Sequence, residues 1–566
     1  MPDTLPWHLP PGALLLLGAL LMPLLPRLLA GPTAVLLPLV SLWHLRQFPA
    51  EVLIGGGDFF GLPLTPVRID ALALVFGTIF HFAAFAGLLY AHRSQGRAQH
   101  AAALGYAGSA IGAVFAGDLL TLFVFWELTS LTSVLLIWVR GGAAAQAAAL
   151  RYLMLQIGSG LLLLCALVLQ WSAGSLAFAT FDPATPSGML LLLAFGIKAG
   201  FPLLHTWLTE GYPAATATGA VFLSVFTTKM AIYALARAFP GTEWLLAVGV
   251  VMVVFTLIYA AAEDDLRRVL AYGLINQLGF MVIAIGIGSE LAINGTAAHA
   301  VSHVLYKSLL FMALGAVMLR TGTTRASELG GLWRAMPLTA LFCLFGALGM
   351  SAPLFAGFAS KSLILEAAAK ADHAGLWALL LAGSAGIFLV AGLKVVWFAF
   401  LGSGRVRATR EAPWSMLAGM ALTTTALLVL GVRPDLLLAH LPYPVDKAIY
   451  TYDHVITQLQ LLLATALVFG VLVGLGLWRR PAPGELLDVD WLWRRALPWL
   501  LVTGAHHYRR LRAGSAATLT QWREDAQRRL MRSGGQQGYL ARSWPTGSMV
   551  LWVAILLSGY LLLYFF

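Results

Sequence analysis

SGMLLLLAFGIKAGFPLLHTWLTEGYPAATATGAVFLSVFTTK, residues 187–229, sets Lys198, His205, Glu210 and Lys229 inside or beside apolar runs, and Gly200-Phe201-Pro202 interrupts the first run. A charge in hydrocarbon costs from about 3 to more than 10 kcal/mol, so an intramembrane lysine is a functional candidate by default. Glycine followed by proline breaks a helix, and backbone without helical bonds is tolerated at membrane depth only where protein or internal water satisfies it. The stretch therefore predicts a buried, polar, broken helix carrying protonatable groups.

The rest of the chain has the composition for this. It is 59% hydrophobic and 11% charged over 566 residues, with a mean hydropathy of +0.82, which excludes an ordinary soluble protein. Cys165 and Cys343 lie far apart in apolar segments, so neither a disulfide framework nor a metal or iron–sulfur site is expected, and no cofactor is assigned. The net charge of +11 is not spread evenly: residues 479–545 hold twelve arginines against five acids. Beside membrane spans such a stretch fits contact with lipid headgroups, not nucleic acid, and its Trp and Arg clusters suggest interfacial amphipathic pieces or a solvated loop. The first residues lack the positive region of a secretory signal, and the run from Gly12 is long enough to stay as a span.

Apolar runs predict an all-α polytopic protein with 14–16 transmembrane helices, near 12–30, 32–48, 69–92, 99–117, 118–139, 147–171, 188–208, 212–238, 242–262, 267–288, 291–319, 337–366, 374–401, 413–432, 455–478 and 547–566. Numbering the loops in order, the odd ones carry thirteen Lys or Arg (among them Arg93, Arg140, Arg267, Arg320, Arg405 and Arg407) and the even ones six (Arg46, Arg68, Arg237, Lys370, Arg433 and Lys447). That bias puts odd loops in the cytoplasm and both termini outward, in a bacterial-type inner membrane. Phe195-Gly196-Ile197-Lys198 before Pro202 is echoed by Phe345-Gly346-Ala347-Leu348 before Pro353, each fourth in a run of five helices. Five is odd, so two such units insert with opposite topology, as inverted repeats do. The expected divisions are 1–98 (first helices and a Gly-rich excursion), 99–238 and 242–401 (the repeats), 402–478, the arm 479–545, and a last span 546–566.

Five of the seven lysines, Lys198, Lys229, Lys307, Lys361 and Lys394, fall within apolar segments, more than snorkelling at helix ends readily explains. Glu127, mid-span in FVFWELTSL, is the matching acid, and a Glu127–Lys198 ion pair is expected because an unpaired buried carboxylate is costly. Close together, the pair keeps the lysine protonated; apart, the desolvated ammonium gives its proton up. His299, His303 and Lys307 recur every four residues and share one helix face, a stripe suited to proton transfer and without the Glu of a zinc-protease motif. Lys361 follows the second break at Pro353 and Gly357; GFASKS lacks the glycine before lysine of a phosphate loop, so nucleotide binding is rejected. His205 is a candidate link from the pore to one surface, Lys394 and Glu210 are weaker candidates, and Asp118 and Glu263-Asp264-Asp265 read as solvated groups at span ends.

FVFWEL, FGIKAGFPLLHTWL, FTTKMAIYAL, DDLRRVLAYGLINQLGF, HAVSHVLYKSLLFMALGAV and GFASKSLILEA occur in order over roughly residues 60–400. Together they resemble the antiporter-like subunits shared by respiratory complex I and Mrp-type cation/proton antiporters, most of all the D-type branch of the Mrp subunits. The resemblance implies a hydrated chain through Glu127, Lys198, Lys229, His299, His303, Lys307 and Lys361, and a place among other membrane subunits that move protons and Na+. Two departures stand out: Thr209-Glu210 and Ala214 to Thr218 replace the family's Pro-Asp and Pro-rich turn, and Asn276-Gln277 replaces its serine. The expected function is proton translocation in an Na+/H+ antiporter assembly. Alternatives are a pumping subunit of a complex I-like oxidoreductase, or a scaffold that has lost transport, against which retention of Glu127 and Lys198 argues.

Overall fold

The computed structural model describes residues 9–93, 96–404, 410–446 and 448–478, and in the C-terminal part 488–489, 491, 495–535, 538 and 545–565. Arg405, Arg407 and Lys447, counted in the charge bias, and residues 479–487 of the arm lie outside them. Among the described residues twelve helices are long and apolar enough to cross a membrane, and the protein is an all-helical, multi-pass membrane protein. The helices Ala13–Leu24, Pro186–Ala199 and Pro337–Leu348 are apolar but shorter. The first stops early because Pro23 forces a 3-10 turn at Met22–Leu24 and Pro26 opens the next helix, Arg27–Leu45.

The chain falls into two compact units, residues 1–486 and 487–566. In the first, the helices Leu266–Ile287, Glu290–Thr321 and the stretch Gly219–Ala238 are buried along nearly their whole length and form the centre, while Tyr452–Gly474 is mostly exposed. A helix apolar on every face belongs in such a centre, and the polar side chains set into these three therefore face protein. The Gly-rich excursion, read only as a connection, folds as two nested antiparallel ribbons, Val52–Ile54 with Val67–Ile69 and Asp58–Phe59 with Leu62–Pro63. The second unit holds the helices Leu497–Gly534, exposed at nearly every described position, and Thr546–Phe565. Within the arm, residues 497–534 form one continuous 38-residue helix where the sequence suggested separate amphipathic pieces or a solvated loop.

The two breaks share a left-handed leucine directly after the proline. Pro186–Ala199 ends on Gly200 in the left-handed region, and after Pro202 Leu203 is left-handed as well, at φ 70°. Pro337–Leu348 ends before Pro353, and Leu354 follows at φ 72°. A left-handed leucine is uncommon and carries strain, so its recurrence after each break proline marks two equivalent structures. The helix resumes at Thr206–Ala214 in the first case and at Ala356–Lys370 in the second. Gly357 is not itself the break: it lies in the resumed helix, where a Cβ would strike the Gly349 and Met350 carbonyls.

The acids at the span ends are not solvated as read. Asp118 is 1% exposed, caps its helix by accepting from Thr121 N at 2.7 Å, and also accepts from Thr65 N at 2.9 Å. Asp264 accepts from Ser327 N and Oγ, both at 2.8 Å. Burial pushes the Glu263 carboxyl above its ordinary value, and the guanidinium of Arg268, 3.6 Å away, pulls the other way. Asp118 and Asp264 satisfy donors of facing segments, a role that single-chain periodicity does not reveal, whereas Glu263 accepts from the adjacent Asp264 and Asp265 N–H groups.

Asp70 ties the ribbon to the centre. It caps Ala71–Ala91 through Ala73 N at 2.9 Å and pairs with Arg237 at 2.7 Å and Arg68 at 2.9 Å. Burial raises its carboxyl, but Arg237, the Ala73 N–H and Arg68 together outweigh burial and leave it below its ordinary 3.8. Its stabilisation is therefore complete above about pH 4 and is lost as pH falls through the lower folded value. Asp70→Ala leaves Arg237 without its carboxylate and is expected to cost about 3 kcal/mol in thermal unfolding of the purified protein, and Asp70→Leu with Arg237→Leu recovers most of that loss.

Candidate functional site

The buried ammonium groups are each met by neutral oxygens. Lys198, fully buried in the last turn before the first break, donates to the Trp126 carbonyl at 2.6 Å and Ser130 Oγ at 3.0 Å, and lies 4.6 Å above the Trp126 ring. Trp207, past the break, donates from Nε1 to the Ile197 carbonyl at 2.9 Å and so joins the two halves. The expected ion pair is not formed: no Glu127–Lys198 contact within 4 Å exists among the described residues, and Glu127 Oε1 has no hydrogen-bond partner. Glu127 is still near enough for its charge to act on Lys198. The carboxylate fits where it does because Gly160 faces it, and a Cβ there would overlap Oε1.

Lys229 donates to the Ser224 carbonyl at 2.6 Å and Thr228 Oγ1 at 3.2 Å. Ser224 falls between the short helix Gly219–Leu223 and Phe226–Ala238, so its carbonyl is released from the helical ladder and available to the ammonium. Lys307 lies within reach of the Leu270 carbonyl at 3.5 Å, and Lys229 and Lys307 are close enough for their charges to repel.

The His299–His303–Lys307 stripe is formed as read, on Glu290–Thr321, and all three residues are fully buried. The His299 and His303 rings stack at 5.9 Å with 4° between planes, and Tyr306 lies 5.3 Å from His303. Gln277 sets the state of His299. Asn276 Nδ2 donates to the Val253 carbonyl at 2.8 Å, which turns its Oδ1 to accept from Gln277 Nε2 at 2.8 Å. Gln277 Oε1 is then left to accept from Tyr306 OH at 3.1 Å and from His299 Nε2 at 3.2 Å. The network thus assigns the His299 proton to Nε2 and leaves Nδ1 to accept from Ser360 Oγ at 3.0 Å. The departure at 276–277 is a fixed hydrogen-bond relay.

Lys361 adjoins Ser360 in the resumed helix after the second break. It donates to Ser351 Oγ at 2.9 Å and Ser384 Oγ at 3.0 Å and lies 5.3 Å from the Phe280 ring, which also approaches His299 at 6.3 Å. The structure therefore sets Lys361 beside His299 through Ser360 and Phe280 and Lys229 near Lys307, while Lys198 is grouped with Trp126, Ser130 and Glu127. Lys394 is elsewhere: it donates to the Ala260, Ala261 and Glu263 carbonyls at 2.8, 2.9 and 2.7 Å, and so caps the C-terminus of Trp244–Ala262 from between two π-helical turns. Glu210 is neutralised by a two-pronged pair with Arg151, at 3.0 and 2.9 Å from Nε, and His205 packs against Phe255 at 4.8 Å. Near the other departure, the guanidinium of buried Arg267 gathers the carbonyls of Tyr212, Pro213, Ala215 and Thr216 and so holds that turn.

Ser130, Thr228 and Ser360 escaped the sequence reading, although each lies within three residues of a charged position. Ser351 and Ser384 had no local signal, since they reach Lys361 from other segments. Gln277→Leu strips the acceptor from His299 and Tyr306 in a fully buried place, and a loss of about 1–3 kcal/mol in thermal unfolding is expected.

Residues 116–389 match the family model described as NADH:quinone oxidoreductase/Mrp antiporter, TM. An uncharacterised protein of Mycobacterium tuberculosis is 32% identical over 359 residues, covering 56% of each chain. The A1 subunit of the Na(+)/H(+) antiporter of Staphylococcus haemolyticus is 30% identical over 403 residues, 63% of this chain and 50% of the relative. The chain therefore spans about half the length of the curated relatives it matches. A chain of the Mrp complex from Dietzia sp. DQ12-45-1b superposes with a TM-score of 0.75 at 26% identity, over 90% of this chain and 62% of that one. The match over residues 116–389 to the family described as NADH:quinone oxidoreductase/Mrp antiporter, TM takes in both breaks and the buried lysines and histidines from Lys198 to Lys361.

Proposed function

We propose that this protein is the proton-translocating subunit of a multisubunit Mrp-type Na+/H+ antiporter in a bacterial inner membrane, with odd loops cytoplasmic and both termini outward. The observation that carries this is a set of buried ammonium groups held by neutral oxygens instead of carboxylates. An ammonium so held is anchored in either protonation state, because a hydroxyl can donate to the neutral amine as readily as it accepts from the cation. Protons pass from Lys198 by way of Lys229 to Lys307, His303 and His299, and leave at Lys361. Glu127 gates the first site through its distance from Lys198. Both ring nitrogens of His303 and the amide of buried Gln156 lack protein partners among the described residues, which suits transfer through internal water.

Residues 99–238 and 242–401 are the two inverted units, supported by the left-handed leucine after each break proline. His205 is assigned to an access route beside the first break. Glu210 and Lys394, with their fixed partners, are assigned positioning roles, and the exposed arm helix meets lipid headgroups or a neighbouring subunit. The motif resemblance is to the D-type branch of the Mrp subunits, and that branch is part of the proposal.

In vesicles containing the whole assembly, Lys198→Ala and Glu127→Ala are each expected to lower proton flux by about a hundredfold. Wild-type flux in both variants would remove this path. Copurification decides the driving force: cation-antiporter subunits are expected with this chain, and iron–sulfur or quinone-site partners would instead make it part of a redox-driven pump.

A further inference from the structure

Beyond Lys361 lies a small cavity of about 10 Å³, lined by Lys361, Ser351, Ser384, Phe358, His454 and Gln458. That is room for about one water molecule, and the lining supplies the two to four polar partners such a water requires. His454 is half-buried, in the first turn of Tyr452–Gly474, beside exposed Thr451, Tyr452 and Asp453. One side of it thus meets the cavity of a buried lysine and the other a surface.

The ring is held in one orientation. It stacks on Phe358 at 4.4 Å and 26°, and Phe358 is one helical turn before Lys361. Nδ1 bonds to the Ile449 carbonyl at 3.0 Å, and since a carbonyl only accepts, Nδ1 carries the hydrogen. Nε2 makes no hydrogen bond to a described residue and is the nitrogen left to take a proton. Gln458 Nε2 donates to the Ser351 carbonyl at 3.1 Å, which fixes Tyr452–Gly474 against the Lys361 site. Tyr450 OH accepts from Leu354 N at 3.1 Å and donates to the Gly431 carbonyl at 2.6 Å, and so anchors the chain just before His454 to the left-handed residue of the second break.

We infer that His454 is the proton-transfer residue between Lys361 and the surface. The Lys361 ammonium gives one proton to the cavity water, that water gives one to His454 Nε2, and the imidazolium releases it from Nε2 to solvent. The hydrogen on Nδ1 stays bonded to the Ile449 carbonyl throughout, so each passage returns His454 to its starting state, and Lys361, left as the neutral amine, is reprotonated from the column. This rests on the reading of Lys361 as the terminal site of the column.

The test uses the complete assembly in vesicles, with Lys361→Ala measured alongside. His454→Phe keeps an aromatic ring against Phe358 but cannot take a proton, and proton flux is expected to fall about tenfold or more. His454→Ala is expected to lose flux similarly and to regain it when imidazole is added, because the half-exposed position admits the free base. Wild-type flux in His454→Phe, or a loss in His454→Ala that imidazole does not reverse, overturns the assignment. If His454→Phe is unaffected while Lys361→Ala is inactive, the column stands and only the His454 step falls. If Lys361→Ala also has wild-type flux, the terminal site falls and this step with it.

Discussion

Every buried ammonium in this protein must be satisfied without leaving the apolar interior, and that requirement shapes its helices. An isolated charge there is so unfavourable that it persists only when donors and acceptors are supplied by the surrounding fold. Here they are neutral. Lys198 and Lys361 use serine hydroxyls, Lys229 a carbonyl freed at a helix discontinuity, and Lys394 the open C-terminus of a neighbouring helix. A carboxylate at contact distance would hold each proton in place. Neutral oxygens hold the nitrogen and leave the proton exchangeable.

The helix breaks are part of the same solution. Each interruption leaves backbone groups without helical partners in the interior, which is tolerable only where other groups take them up. Trp207 takes up the Ile197 carbonyl across the first break, and Tyr450 takes up the Leu354 N–H at the second. Strain at Leu203 and Leu354 is therefore stabilised by tertiary contacts, and the lysines lie within a turn or two of both strained points.

The polar stripe takes its orientation from outside its own helix. His299 takes its orientation from a relay that begins at a backbone carbonyl on another helix and runs through Asn276 and Gln277. A serine has one hydroxyl and cannot fix a ring so firmly. The Asn-Gln pair uses amide geometry, with distinct donor and acceptor ends, to assign both the Tyr306 hydrogen bond and the His299 tautomer.

The sequence by itself determined the all-helical membrane class, the two broken helices and the buried lysine and histidine positions. These follow from hydropathy, from proline's lost N–H and from the cost of charge in hydrocarbon, all properties of consecutive residues. It also placed His299, His303 and Lys307 on one face, because helical spacing alone decides that. Only the tertiary structure decided what each charge touches. Glu127 and Lys198 do not pair because Trp126 and Ser130 reach the ammonium first. Lys394 serves a distant helix end, and its bond to Glu263 spans 131 positions in sequence. Asp118 and Asp264 are buried because facing segments bring them donors, Thr65 N in one case and Ser327 N and Oγ in the other. Partners in space are set by packing between helices, and a one-dimensional pattern carries the face a residue occupies but not the neighbour it meets there.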